Sequence, residues 1–319
     1  MDEIFKKRIE YTGKLEDISY AICKSFNLGE FLSNKLILIG YEDFNFILET
    51  TKGKYFIKVF ANFRDEKNCQ RYVDILKETL KAKIKTPKLF KSDQGYLYNV
   101  KINNSNLRLC VMEYFENSLY DLKKRVTVEE IKFLSNQIAL INSLDIKVDF
   151  VYDSWSVPNF KKEFKKKSKY LEKTDLDLIT PLLNEFDELN IESLPHCFVH
   201  GDIIGPNVMK GKDSNLFIID FSVSNYYPRI QDLTILACDL LFDPKSKSKS
   251  EENLQIALEE YQKYIKLTEK ELTALPIYIK AAYAMYILCA NYEKVAKNFN
   301  SEENEHWLER GRIGLKQMT

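Results

Sequence analysis

The run Phe198 to Asn207, FVHGDIIGPN, sets one of only three histidines two residues before an aspartate, and an asparagine follows five residues after that aspartate. Further on, Asp220 ends the apolar stretch LFIID. The short runs VMK and LFIID flank a polar turn, KDSN. If they pair as a hairpin, residues equally far from the turn centre lie opposite one another. Asn207 and Asp220 are symmetric about the point between Asp213 and Ser214. The hairpin therefore places an amide oxygen beside a carboxylate at its open end, with Asp202 in the loop just before it. A carboxylate and an amide oxygen suit Mg²⁺, which takes hard oxygen ligands and completes its shell with phosphates and water. The third carboxylate, Asp202, can orient a hydroxyl and accept its proton. Phosphoryl transfer from ATP needs these parts, because that chemistry is mostly positioning and charge neutralisation around an in-line displacement.

His200 could be read as the base itself, since a general base wants a pKa near the working pH. Asp202 is better placed for that role, and His200 follows directly on the apolar strand HCFV, so His200 is read as support for the shape of the loop. His196 and His306 have no evident partners and are read as structural.

The elements that must hold these residues fall into two parts. Leu15, Ile18, Ile22 and Phe26 recur at helical spacing, with Gly29 as the stop. From Leu36, LILIG, NFILET and KYFIKVF predict a meander of three antiparallel strands, with TTKG as a turn. A polar helix follows, with Cys69, Val73, Leu76 and Leu80 on one face, ending before Thr86-Pro87. GYLYNVKI and LRLCVMEYF predict two more strands around NNSN. Beyond Phe115 the pattern is mainly helical. Ile131, Leu134, Ile138 and Ile141 form a stripe, and KKEFKKKSKYLEK reads as a solvated helix face. Thr180-Pro181 reads as an N-cap and first helical residue. The tyrosines 261, 264, 278, 283 and 286 read as core and cleft wall. The expected class is α+β, a smaller antiparallel-sheet part followed by a larger, mainly helical one.

With 319 residues the chain can form one large domain or two smaller ones sharing a cleft. Lysine plus arginine equal aspartate plus glutamate, 47 each, which gives no electrostatic argument for a nucleic-acid partner. The six cysteines are scattered without a C-x-x-C pair, which argues against a disulfide framework or a structural zinc site. The chain opens on the charged MDEIFKKR and shows no signal peptide and no apolar run long enough to span a bilayer. A soluble, cytoplasmic protein with no membrane partner is expected.

H-x-D, an asparagine five residues after the aspartate, and then a D-F hairpin end resemble the catalytic loop and metal motif of protein-kinase-like enzymes. The form here, HGD with IIDF and Ser222 in place of the third-position glycine, resembles the aminoglycoside phosphotransferase and choline kinase-like superfamily. The resemblance covers about Leu36 to Asp239. It implies a bilobal protein-kinase-like fold, with residues 1–112 as an N-terminal nucleotide-binding lobe and 113–319 as a C-terminal catalytic and substrate-binding lobe. It also implies that Asp202 is catalytic, that Asn207 and Asp220 hold the metal, and that Asp232 braces the catalytic loop. Lys58 matches the strand lysine that reaches the nucleotide phosphates. VMEYFE resembles the hinge, with Met112 as gatekeeper and the backbone of Glu113 to Phe115 on adenine. The spacing in GYEDFNFILETTKGKYFIK is also similar to the bacterial homoserine kinase branch.

Two features depart from the pattern. Gly40 stands nearly alone where a glycine-rich loop would lie. The helical carboxylate that should pair with Lys58 could be Glu66, Asp74 or Glu78, and Glu66 is preferred. The function implied is transfer of the γ-phosphate of ATP (or GTP), with Mg²⁺, to a small hydroxylated molecule: an aminoglycoside, amino alcohol, homoserine or sugar. The alternatives are a nucleotide-binding pseudokinase that transfers nothing and a metal-dependent hydrolase. The second leaves the lysine strand and the hinge-like segment unexplained.

Overall fold

The computed structural model describes residues 6–37, 42–115, 126–211 and 215–318. Gly40 and the hairpin centre at Asp213 and Ser214 lie outside them. The chain divides into two compact units, the first made of 1–118 with 210–219 and the second of 119–209 with 220–319.

Among the described residues the first unit is an antiparallel sheet with helices packed on it. After α1 (Leu15–Ser25) come β1 (Phe31–Ile37), β2 (Phe44–Thr50), β3 (Gly53–Val59), α2 (Glu66–Lys81), β4 (Leu89–Phe90), β5 (Tyr98–Ile102) and β6 (Ser105–Glu113). The spatial order is β1-β2-β3-β6-β4, with β5 also on β6. The β2 pattern alternates strictly between buried and half-buried residues, as period-2 geometry requires of a strand with one face on a core. Phe44, Phe46, Leu48, Ile57 and Val59 fill that core with Ile18 and Ile22 of α1. The β5–β6 turn is made by Asn103 and Asn104, both at positive φ (47° and 70°), the conformation a two-residue hairpin demands. The chain re-enters this unit at Lys210, where Ile218 N–H donates to Lys85 O at 2.8 Å. The short strands β8 (Val208–Lys210) and β9 (Leu216–Ile218) form a two-stranded sheet, and Gly211 N–H donates to Asn215 O across its turn at 2.8 Å.

The second unit is mainly helical: α3 (Val128–Asn142), α4 (Phe160–Lys167), α5 (Lys173–Ile179), α6 (Leu182–Glu188), α7 (Ile230–Cys238), α8 (Lys247–Tyr261), α9 (Glu269–Asn291) and α10 (Glu302–Met318). Its sheet is the pair β7 (His196–Val199) and β10 (Asn225–Pro228), antiparallel, with Val199 opposite Asn225. Thr127 and Thr268 open α3 and α9 with capping boxes to Glu130 and Glu271. Ile131, Leu134, Ile138 and Ile141 form the fully buried stripe of α3.

Several sequence expectations shift. Helix α1 stops at Ser25, because Asn27 takes a left-handed turn (φ 52°) ahead of Gly29. Strand β1 begins at Phe31; its Ser33, Asn34 and Lys35 are those of a half-exposed edge strand and carry no alternation signal. Lys83 (φ 60°) ends α2 before Thr86-Pro87. Thr180 is helical and bonds back to Leu176 O, so Pro181 rather than Thr180 precedes α6. The lysine-rich run is not wholly solvated. Phe160, Glu163 and Lys167 turn inward from α4, and the two charges neutralise each other one turn apart at 2.7 Å. Helix α9 with the turn after it is long and apolar enough to cross a bilayer, but 72% of its most apolar window is buried inside the unit, as befits a core helix. The six cysteines are free thiols, five of them buried.

Candidate active site

Strand β7 carries the chain from half-buried His196 and Cys197 to fully buried Val199, and the loop from His200 to Asn207 follows from its end. One buried carboxylate shapes that loop. Asp232, in the first turn of α7, accepts from His200 N–H at 3.0 Å, Gly201 N–H at 2.7 Å and Asn142 Nδ2 at 3.0 Å. Burial pushes its pKa up to about 6, against the pull of those three donors. Gly201 sits at φ +90°, where a Cβ would also come within 3.3 Å of Val223 O, so only glycine fits without strain.

His200 is fully buried, with its ring edge-on to Phe221 at 4.4 Å. Its Nδ1 accepts the N–H of Asp202 at 3.2 Å, and its carbonyl accepts from Ser224 Oγ at 3.1 Å. These bonds fix where the backbone of Asp202 points. Asp239, at the end of α7, pins the far side of the loop by accepting from Gly205 N–H at 2.6 Å, and is itself paired with Arg310 at 3.2 Å.

Within this frame Asn207 Nδ2 donates to the carboxylate of Asp202 at 2.8 Å and to its carbonyl at 2.9 Å. Both partners are acceptors, so the amide orientation is settled by chemistry, and Oδ1 is the atom left for a cation. Asp220 adopts a left-handed conformation (φ 65°, ψ 71°) and its carboxylate accepts from Ser222 N–H and Ser222 Oγ. Asp202 keeps some accessible surface yet is set deep. Burial first, then the charges of Asp153 and Asp220, push its pKa up to about 8. Asn207 thus meets Asp202 directly, and the charge of Asp220 is felt at Asp202.

One amide oxygen and one carboxylate do not cage an ion by themselves. Among the described residues no group of three or more His, Cys, Asp or Glu has metal-holding geometry. Two protein oxygens with the remaining positions left to phosphate and water is the arrangement Mg²⁺ prefers, and the repulsion that raises Asp202 is what a cation would relieve.

The first unit carries the other expected residues. Lys58 lies in β3 opposite Asn45 of β2 and Cys110 of β6, almost wholly buried. Its Nζ pairs with Asp43 Oδ2 at 2.9 Å and stands 5.1 Å over the ring of Tyr72. Glu66, the preferred partner, is exposed at the start of α2 and accepts from Asn99 at 3.3 Å. The expected Lys58–Glu66 pair is corrected on this point: Glu66, at the start of α2, faces solvent, whereas Asp43 enters β2 beside the strand that carries Lys58. Met112 is buried in β6 opposite Phe56. Glu113 N–H is spent on Lys88 O at 2.9 Å. Phe115 stacks on Phe217 at 4.1 Å.

Four supporting residues were not singled out from sequence: Asp43, Asn142, Asp153 and Asp239. Asn142, Asp153 and Asp239 act from elements distant in sequence, so spacing offers no signal for them. Asp43 alone had one, as a carboxylate immediately before an aromatic strand.

A model of the phosphotransferase enzyme family matches residues 34–265. No curated protein matches the chain. Among solved structures, the amicoumacin kinase hAmiN in complex with AMP-PNP, Ca²⁺ and Ami is similar at a TM-score of 0.70 and 14% identity, over 99% of this chain and 96% of that one. A microcompartment-associated aminopropanol kinase is similar at 0.70 and 12% identity, over 94% and 95%. The choline kinase LicA from Streptococcus pneumoniae is similar at 0.61 and 15% identity, over 94% and 98%. At these identities the likeness is one of fold, an antiparallel-sheet N-terminal part with a helical C-terminal part.

Proposed function

We propose, from the premise that this chain belongs to the phosphotransferase enzyme family and is a small-molecule kinase, that it moves the γ-phosphate of ATP to a hydroxyl of a small molecule. The observation that supports the reading is the bond from Asn207 Nδ2 to the Asp202 carboxylate, which leaves Oδ1 of Asn207 as the oxygen for a cation and would hold Asp202 in place as the base. Asp202 would orient the acceptor hydroxyl and take its proton. Its raised pKa, about 8 in the absence of a cation, suits a group that must both accept and release a proton near neutrality. Asn207 Oδ1 and Asp220 would hold Mg²⁺, which neutralises phosphate charge during transfer. Lys58 would neutralise phosphate oxygens of the nucleotide. With Glu113 N–H engaged in the sheet, adenine contacts from the hinge would fall to Tyr114 and Phe115, with Met112 behind them. His200 and Asp232 would keep the loop in shape. In this reading residues 1–112 serve as the nucleotide-binding lobe and 113–319 as the catalytic and substrate-binding lobe.

The acceptor classes open to it are aminoglycosides, amino alcohols, homoserine and sugars. Asp153 and Asp239 around Asp202 make the surroundings acidic, which supports acceptors with a protonated amine over neutral sugars. The amicoumacin, aminopropanol and choline kinases of the same fold add support for such acceptors. The test is an ATP-consumption screen of these four classes, with Asp202→Ala in parallel. Consumption with an amine-bearing acceptor, lost in Asp202→Ala, is expected. Wild-type turnover by Asp202→Ala would refute the assignment, and ATP binding without transfer across the panel would favour a pseudokinase.

A further inference from the structure

In the protein-kinase pattern the strand lysine is held by a glutamate of the following helix. Here every acidic candidate on that helix is committed elsewhere. Glu66 is exposed and bonded to Asn99 at 3.3 Å, Asp74 pairs with Lys77 at 2.9 Å, and Glu78 pairs with Lys81 at 2.6 Å, all at the surface. The helix instead presents the ring of Tyr72 to Lys58, 5.1 Å from Nζ.

A buried carboxylate that meets Lys58 is that of Asp43, and it is firmly fixed. While Oδ2 meets Lys58 Nζ at 2.9 Å, Oδ1 accepts from Ala61 N–H at 2.9 Å and from Arg64 Nε at 3.0 Å. The Asp43 carbonyl accepts from Arg8 at 3.0 Å, and Arg64 also pairs with Glu42. The lysine and aspartate side chains are only 4% and 3% exposed, so solvent screens the pair little.

Resting on the kinase reading above, we infer that Asp43, from the segment entering β2, is the positioning residue for Lys58, in place of a carboxylate on α2. The consequence is that the lysine is aimed by the loop that leads into the strand rather than by the helix. Nucleotide affinity is therefore set by how that loop is held, through Ala61 and Arg64, and does not require α2 to move.

Asp43→Asn is the sharpest probe. It keeps an oxygen for Ala61 and Arg64 while removing the charge that Lys58 and Arg64 both face. Mg·ATP affinity of the full-length chain is measured by calorimetry for wild type, Lys58→Met, Asp43→Asn and the double variant, with thermal unfolding as a check that each is folded. Lys58→Met and Asp43→Asn each weaken binding about tenfold or more, and the double variant binds no more weakly than Lys58→Met alone. If Asp43→Asn binds as wild type does while Lys58→Met is weakened, the inference fails and the kinase reading stands. If Lys58→Met itself binds as wild type does, the assigned role of Lys58 fails and the inference falls with it. Multiplying effects in the double variant also overturn it. Because a charge moved to the helix should replace the one removed, Asp43→Asn with Tyr72→Glu recovers most of the lost affinity; a folded double variant that recovers none overturns the inference.

Discussion

Among the described residues two lysines are buried, one in each unit, and each meets a buried carboxylate. Lys58 pairs with Asp43 at 2.9 Å, and Lys167 pairs with Glu163 at 2.7 Å. In burial and length the two pairs are alike. They differ in how the chain makes them. Glu163 and Lys167 are one helical turn apart, so α4 brings them together as soon as it forms. Tyr152 then donates to Glu163, and Lys167 reaches Cys289 Sγ at 3.0 Å and Ser154 O at 3.4 Å. That network ties α4 and the preceding loop to α9 and, through the Tyr292 ring 5.3 Å from Lys167 Nζ, to the turn after it. Asp43 and Lys58 meet only through strand register, and their network leads to Ala61 and Arg64, just after β3. A buried ion pair is weak evidence for stability, since desolvation offsets much of the attraction. What sets the two apart is whether a ligand's charge is expected to join.

The largest effect expected is on catalysis. Asp202→Asn lowers transfer by about 10²–10⁴-fold, the usual worth of a general base, read in the coupled assay with whichever acceptor the screen finds. The same variant separates activity from stability. A carboxyl whose pKa rises to about 8 on folding holds more protons folded than unfolded between its ordinary value and about 8. Its contribution to stability is therefore full below the ordinary value and is lost as pH rises through about 8. Asp202→Asn removes that loss, so it melts above wild type at pH 8 and not at pH 4, by about 2–4 °C per kcal/mol recovered. Equal melting at both values would mean that Asp202 is not held in an unfavourable charge environment.

The comparison is broken or kept by Lys167→Met. Removing one partner of a buried pair strands the other, at a cost of ~3–5 kcal/mol, while Mg·ATP affinity stays at wild type. Lys58→Met shows the reverse balance, with affinity lost and a smaller drop in stability, because Asp43 keeps Arg64. If Lys167→Met weakened nucleotide binding as much as Lys58→Met does, the division between a supporting pair and a working pair would be wrong.

The two pairs also mark how far the sequence could be read. Lys58 stood out in YFIKVF because a charge amid apolar residues in a strand needs a reason. Lys167 stood among other lysines in KKEFKKKSKYLEK, where composition hides the one that turns inward. The loop around Asp202 was legible because its residues lie within a few positions of one another and their side chains meet locally, as Asp202 and Asn207 do. Asn142, Asp153 and Asp239 were not, since only the packing of α3, α7 and the loop before α4 brings them near. Strand β10 was missed for a similar reason: NYYP has no alternation and becomes a strand by pairing with β7.

A smaller effect is expected at the loop's tightest point. Gly201→Ala forces a side chain into φ +90°, with its Cβ 3.3 Å from Val223 O. Such strain costs of order 1–3 kcal/mol. Because the Gly201 amide is one of the three donors to Asp232, relief of the strain would shift Asp202. Stability falls modestly in chemical denaturation, and transfer falls by more than that loss of folded protein explains. A variant that lost stability and kept full specific activity would show the loop to be less tightly coupled to Asp202 than its hydrogen bonds imply.

The smallest effect is expected where the kinase pattern points first. Glu66 occupies the helix on which a lysine-pairing carboxylate would ordinarily sit, yet it is exposed and its bond to Asn99 is a surface contact at 3.3 Å. Glu66→Gln keeps an oxygen for Asn99 and removes a charge from the first turn of α2, where a negative group gains a few tenths of a kcal/mol from the helix dipole. Stability should therefore change by no more than about 0.5 kcal/mol, and Mg·ATP affinity should not change. The same substitution at a carboxylate that held Lys58 would raise the dissociation constant by about tenfold. A measured rise of that size would return the lysine's partner to the helix and make Asp43 its resting contact only.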